Sequence, residues 1–200
     1  MSTTITADQV RQLREQTGAG MMECKKALAE TAGDFPKAID LLRKAGAARA
    51  EKRADRAASE GVVEAYIHPG NRVGVLIEVN CETDFVARTD EFRELVRNLA
   101  MQVAAAGAEF LKREEVPAER VEREREIFAA QLAAEGKPAQ IVDKIVEGKL
   151  GKFYSEICLL EQPYIRDDKL KVQDLVSQAA ARTGENIVVR RFARFRLGQE

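Results

Sequence analysis

A carboxylate and an aromatic ring stand side by side at Asp84-Phe85, flanked by Thr83 and Val86. Just before them, Val73, Val75, Ile77, Val79 and Cys81 alternate with Gly74, Leu76, Glu78 and Asn80. That period of two marks a strand with one buried face. A helical pattern begins near Thr89. A strand turning a sharp corner and showing an acid beside an apolar ring is either packing or a probe aimed at another molecule. The other residues able to do chemistry are sparse. His68 is the only histidine, and Cys24, Cys81 and Cys158 lie far apart. A Cys81–His68 nucleophile and base would need both side chains on one side of the sheet. Position 68 has the opposite parity from Val63, Ala65 and Ile67, the set expected to face inward, so the imidazole is expected outside. No two of these thiols and the imidazole fall within the roughly two-to-four-residue spacing of structural zinc sites. Neither a Gly-rich phosphate loop nor G-x-S-x-G nor H-E-x-x-H occurs. Asp167-Asp168 reads as a turn. The inventory points to a non-enzyme with no metal site and no cofactor.

Two further clusters concern contact rather than catalysis. Arg190, Arg191, Arg194 and Arg196 interleave with Phe192 and Phe195, and aromatics among arginines can form a surface for single-stranded nucleic acid. With a net charge of −1, the pattern reads more simply as an amphipathic strand with solvated or paired arginines, and no direct nucleic-acid contact is expected. Met21 and Met22 are adjacent, so on a helix they point about 100° apart and one bundle cannot easily bury both. Methionine suits adaptable contact surfaces; the alternative is that Met22 packs under the segment that follows.

The elements that must position these residues fall into an α+β arrangement. Thr6 is placed to cap a helix through Thr17, with Val10, Leu13 and Thr17 on one face and Gly18 as its stop. A second helix runs from Met21 to about Thr31, with Cys24, Leu28 and Thr31 inward. Asp34 caps a third, with Pro36 in its first turn and a stripe of Phe35, Ile39, Leu42 and Ala45. Residues 1–46 thus read as a three-helix bundle, 47–58 as a charged, helix-prone linker, and 59–200 as an α+β core. In the core, Val63, Ala65 and Ile67, a turn at Pro69-Gly70-Asn71 and the strand above predict a β-hairpin. Phe92, Leu95, Leu99 and Val103 then define one helix face. After a loop over 109–116, Pro117 starts a helix whose alternating charges, including a Glu119–Arg123 pair, form a solvated surface. Val146, Leu150, Phe153, Ile157 and Leu160 make a stripe for burial against a sheet or partner helix, with Gln162-Pro163 closing that helix. A last helix spans about Lys171 to Arg182 with Gly184 as its stop, and Ile187–Leu197 reads as a third strand. The result is a small antiparallel three-stranded sheet packed with helices.

Charged residues at 32% and hydrophobic residues at 45% describe an ordinary globular chain. No apolar run approaches the ~20 residues of a membrane span, and the first residues lack a secretory pattern. An odd number of dispersed thiols suggests a reducing compartment. A cytoplasmic protein is expected.

At this point two long motifs carry a resemblance. Arg14-Glu-Gln-Thr-Gly-Ala-Gly-Met-Met-Glu-Cys-Lys-Lys-Ala-Leu28, followed by Glu78-Val-Asn-Cys-Glu-Thr-Asp-Phe-Val-Ala87, resembles bacterial elongation factor Ts. Leu160-Glu-Gln-Pro-Tyr164 and Val189-Arg-Arg-Phe-Ala-Arg-Phe195 are similar to its later core motifs. The resemblance implies a guanine-nucleotide exchange factor for elongation factor Tu, with a ubiquitin-associated-like N-terminal bundle docking on the partner's GTPase domain. It implies docking through Arg14, Thr17, Gly18, Met21 and Met22. It also implies that Thr83, Asp84, Phe85 and Val86 lie where the family displaces magnesium from the partner, shifting its phosphate loop so that GDP leaves and GTP binds. With room for one core copy, the chain resembles the short form that works as a homodimer. Two other readings stand beside this one. A ubiquitin-associated-type binding module would place all function in residues 1–46, and an RNA-binding protein would use the arginine strand.

Overall fold

The computed structural model describes residues 5–199. The chain forms two compact units, each assembled from segments distant in sequence. One holds the described residues up to Gly61 together with Asn80–Phe92 and Asp174–Val188. The other holds Val62–Val79, Arg93–Gln173 and Val189 onward.

The first unit opens with α1 (Ala7–Thr17), α2 (Met21–Glu30) and α3 (Phe35–Glu51). Thr6 and Gln9 cap α1 reciprocally: the Thr6 hydroxyl accepts from the Gln9 N–H, and the Thr6 N–H donates to the Gln9 side chain at 2.9 Å. Gly18 ends the helix in the left-handed region, φ +68°, donating its N–H to the Arg14 carbonyl at 2.7 Å. The Asp34 carboxylate accepts from the Lys37 N–H at 3.1 Å and starts α3. Val10, Leu13, Cys24, Ala27, Leu28, Ala38 and Leu42 form the bundle core. The α3 stripe differs from expectation at its end, where Ala45 is exposed and Gly46 is buried. Space is tight there, because a Cβ on Gly46 would stand 3.3 Å from Ala181 Cβ.

In the second unit, the three-stranded sheet has the order β1 (Glu60–Ile67), β2 (Val73–Cys81), β5 (Val188–Arg196), so the last strand pairs with the second. Of the expected inward set on β2, Val75, Ile77, Val79 and Cys81 are buried and Val73 is half-buried. On β1 the parity is reversed from the sequence reading. Val63 and Ile67 are 61% and 60% exposed, while Val62, Glu64 and Tyr66 are half-buried. Both sets hold apolar residues, and the hairpin register decides between them. A Cβ on Gly74, on the outer face of β2, would stand 3.0 Å from Ile67 Cδ1. His68 is exposed because it lies at the turn, where its N–H donates to the Val73 carbonyl. Cys81 closes β2 at the hairpin's other end, so the two cannot pair.

Phe92, Leu95, Leu99 and Val103 are buried along α5 (Asp90–Ala106). Then α6 (Ala118–Ala134) and α7 (Ala139–Ile157) form an antiparallel helical hairpin. The α7 stripe of Val146, Leu150, Phe153 and Ile157 packs on Leu132, Phe128 and Val121 of α6, so the partner is a helix. Helix α7 stops at Ile157, five residues before Gln162. Cys158 leaves the helix in an extended conformation and bridges to Phe110; tertiary pairing, not the proline, ends the helix. A short ladder of β3 (Pro163–Tyr164) and β4 (Asp167–Lys171) follows, so Asp167 and Asp168 open a strand just after a turn. α8 (Val172–Thr183) then leads through Gly184, φ +76°, toward β5.

Candidate functional site

The site begins where β2 ends. Cys81 is fully buried, and its thiol donates to the Thr83 carbonyl at 3.2 Å. Burial, then the nearby Glu185 carboxylate, pushes this thiol up to about 11, so it stays neutral and acts as a packing group. Thr83 is the N-cap of a single helical turn, α4 (Asp84–Ala87), and its hydroxyl accepts from the Val86 N–H at 3.4 Å. Ala87 is buried beneath the turn, Val86 is half-buried, and Phe85 points away, 80% exposed. Asp84 pairs with Arg88 one turn on at 2.9 Å. The corner therefore presents an unpaired ring beside a carboxylate already partnered within its own helix.

The loop after α8 braces this corner. The Glu185 carboxylate accepts from the Glu82 N–H (3.0 Å), the Thr83 N–H (3.1 Å) and the Thr83 hydroxyl (2.6 Å). In return the Glu82 carboxylate accepts from the Asn186 N–H at 2.6 Å and lies 3.5 Å from the Arg56 guanidinium. The buried Asn186 amide donates to the carbonyls of Ala54 and Arg56 at 3.1 and 2.9 Å. None of these bracing residues was singled out by sequence reasoning. The one local signal was an acid directly after the helix-stopping Gly184. Nothing local pairs it with a threonine 102 residues earlier.

The second candidate surface surrounds the α1–α2 corner. Arg14 and Gly18 are exposed, and Met22 is 75% and Met21 44% exposed. Met22 therefore does not pack under the linker. Thr17 is half-buried and spends its hydroxyl internally, donating to the Leu13 carbonyl at 2.7 Å and accepting from the Ala19 N–H at 3.3 Å. It shapes the corner and leaves the methionines as the presented groups. Arg182 of α8 lies directly against Gly18, where a Cβ would overlap its Cγ and Cδ, and it pairs with Glu91. The structure thus brings the methionine corner and the Phe85 corner into one compact unit.

Two of the arginines on the last strand have partners within the chain. Arg191 pairs with Glu78 at 2.7 Å, and Arg194 donates to the Ala104 carbonyl at the end of α5 at 3.4 Å. Phe195 is exposed and Phe192 half-buried. Among the described residues, no group of three or more His, Cys, Asp or Glu side chains could hold a metal ion, and no helix is long and apolar enough to cross a membrane.

Fold and site together define a class: a three-helix bundle followed by an α+β core, with a presented aromatic corner at the end of the core's second strand. Comparison with known proteins narrows this to one family. The family model described as elongation factor TS matches residues 23–199. An elongation factor Ts from Heliobacterium modesticaldum is 59% identical over 98% of this chain and 91% of its own length. Those from Moorella thermoacetica and Caldanaerobacter subterraneus subsp. tengcongensis are 60% and 59% identical over 98% of this chain, covering 96% and 98% of their own lengths. The chain belongs to the elongation factor Ts family.

Proposed function

We propose that this chain is a guanine-nucleotide exchange factor for elongation factor Tu, acting by inserting the Thr83–Val86 corner beside the partner's nucleotide. The observation that carries this reading is the 80% exposure of Phe85 on a turn whose neighbouring residues are capped and braced. A GTPase holds its diphosphate through magnesium and a phosphate-cradling backbone loop. A ring on a rigid corner can part the elements that support this loop and cost the magnesium its place. Asp84 adds negative charge nearby, but its pairing with Arg88 favours steric displacement over metal capture. Burying one phenylalanine side chain on a partner stabilises a complex by about 1.5–3 kcal/mol, which is one to two decades of coupling at about 1.4 kcal/mol per decade. Coupling is reciprocal: if the factor weakens GDP binding, GTP in turn expels the factor. In this reading the chain makes and breaks no covalent bond, needs no cofactor and works in the cytoplasm.

Docking is assigned to Arg14, Gly18, Met21 and Met22, with Thr17 holding their corner. Replacing Asp84 and Phe85 together by alanine is expected to leave docking on the GDP-bound partner nearly unchanged, and both to weaken binding to the nucleotide-free partner and to slow GDP release about 10- to 100-fold. Release at the wild-type rate refutes the wedge. A homodimer is the second part of the proposal. The outer sheet face exposes Val63, Ile67, Leu76 and Phe195, an apolar surface suited to a second copy. Sedimentation of the pure protein is expected to give twice the chain mass, and Ile67→Glu with Leu76→Glu to give monomers; a wild-type monomer refutes the assignment.

A further inference from the structure

We propose that Glu185 is a positioning residue for nucleotide exchange, holding the 82–85 backbone so that Phe85 projects; this rests on the wedge reading above. Helix α4 has four residues, too few to be stable by itself. Left alone, a short turn carrying a phenylalanine would fold the ring back onto the nearest apolar surface. The direction of the ring must therefore be imposed from outside the turn. Two backbone N–H groups and one hydroxyl at the end of β2 converge on the single Glu185 carboxylate. Hydrogen bonds to an ionised acceptor are the stronger kind. The strap is doubled, because Glu82 returns the contact to the Asn186 N–H.

The same short segment reaches the docking bundle. Arg182 lies against Gly18, and Asn186 ties down the carbonyls of Ala54 and Arg56 just after α3. Residues 182–186 thus form a bracket with the docking bundle on one side and the Phe85 turn on the other. Docking free energy reaches the nucleotide site only if this bracket resists the push. A loose bracket lets the bundle bind while the ring is turned aside, which separates binding from release. Glu185 touches neither nucleotide nor metal in this scheme, and it acts through Thr83 and Phe85.

The test uses full-length chains and elongation factor Tu loaded with a fluorescent GDP analogue. Three readouts are taken for each variant: thermal midpoint, docking affinity, and release rate at saturating factor. Glu185→Ala is expected to slow saturated release about tenfold while docking stays within about twofold, a split between binding and action. Glu185→Gln should recover most of the rate, because the amide oxygen can still accept from both N–H groups and its NH2 can donate to the Thr83 hydroxyl oxygen. The double variant Phe85→Ala/Glu185→Ala should match Phe85→Ala alone, as two residues acting through one contact must. Unaltered release by Glu185→Ala, or effects that add fully in the double variant, overturns the inference while leaving the wedge intact. Unaltered release by Phe85→Ala overturns the wedge and the inference with it. If Glu185→Ala does not fold, Thr83→Val removes the hydroxyl link to Glu185 together with the longer cap on the Val86 N–H, and keeps both backbone donors. It is expected to slow release several-fold and, combined with Glu185→Gln, to add little; wild-type release by Thr83→Val overturns the inference.

Discussion

Gly18→Ala reports whether the N-terminal bundle is seated on α8 as the structure has it. Gly18 adopts φ +68°, where an L side chain costs about 1–2 kcal/mol. The added Cβ would also overlap the stem of Arg182 at Cγ and Cδ. Arg182 can yield only by leaving its rotamer, at about 0.5–1.5 kcal/mol. It would also give up its exposed pair with Glu91, worth at most about 1 kcal/mol. The combined loss is roughly 1.5–4.5 kcal/mol, or some 3–18 °C in Tm for a chain of this size. Calorimetry and urea unfolding read it. The informative comparison repeats the substitution in an Arg182→Ala background, where the overlap is gone and only backbone strain of about 1–2 kcal/mol remains. If Gly18→Ala costs the same in both backgrounds, Arg182 does not lie on Gly18 and the seating described above is wrong.

Met22→Ala should leave Tm within about 1 °C, since the side chain contacts little of its own chain. It should weaken docking on elongation factor Tu about 5- to 30-fold by titration calorimetry; undiminished affinity would remove Met22 from the docking surface. Cys81 and Cys158 are both held protonated, each thiol pushed up to about 11, mainly by burial. The folded chain therefore binds these protons more tightly than the unfolded chain, whose thiols titrate near 9.0. Their contribution is fully present below pH 9 and lost as pH rises toward 11, on the order of 1–3 kcal/mol for each thiol. The urea midpoint should accordingly be lower at pH 10.5 than at pH 8, and both thiols should resist alkylation at pH 8; fast alkylation of Cys81 or Cys158 in the native chain would contradict their burial.

What the sequence determined by itself was every element whose signal is local. The Thr6 and Asp34 caps, the Gly18 and Gly184 stops, the Pro69-Gly70-Asn71 turn and the alternation of β2 all depend on residues within a few positions of one another. Their physics, short-range hydrogen bonding and period against one buried face, is complete in the local chain. Phe85 and Met22 were legible as candidates for the same reason, because an apolar residue where a periodic pattern breaks has no evident place inside. Their exposure was not legible, since it depends on what the rest of the chain lays over them.

Only the tertiary structure decided the matters in which two local answers were equally good. On β1 both parities carry apolar side chains, and hairpin register turned Val63 and Ile67 outward. At the end of α7, pairing of Cys158 with Phe110 stopped the helix before Pro163 could. Glu185 lies furthest from local reach: an ordinary surface acid by sequence, it becomes the anchor of the Thr83 corner because folding brings two distant loops together. Hydrogen bonds between segments a hundred residues apart leave no periodic trace in a sequence, and it is such bonds that hold the presented ring in place.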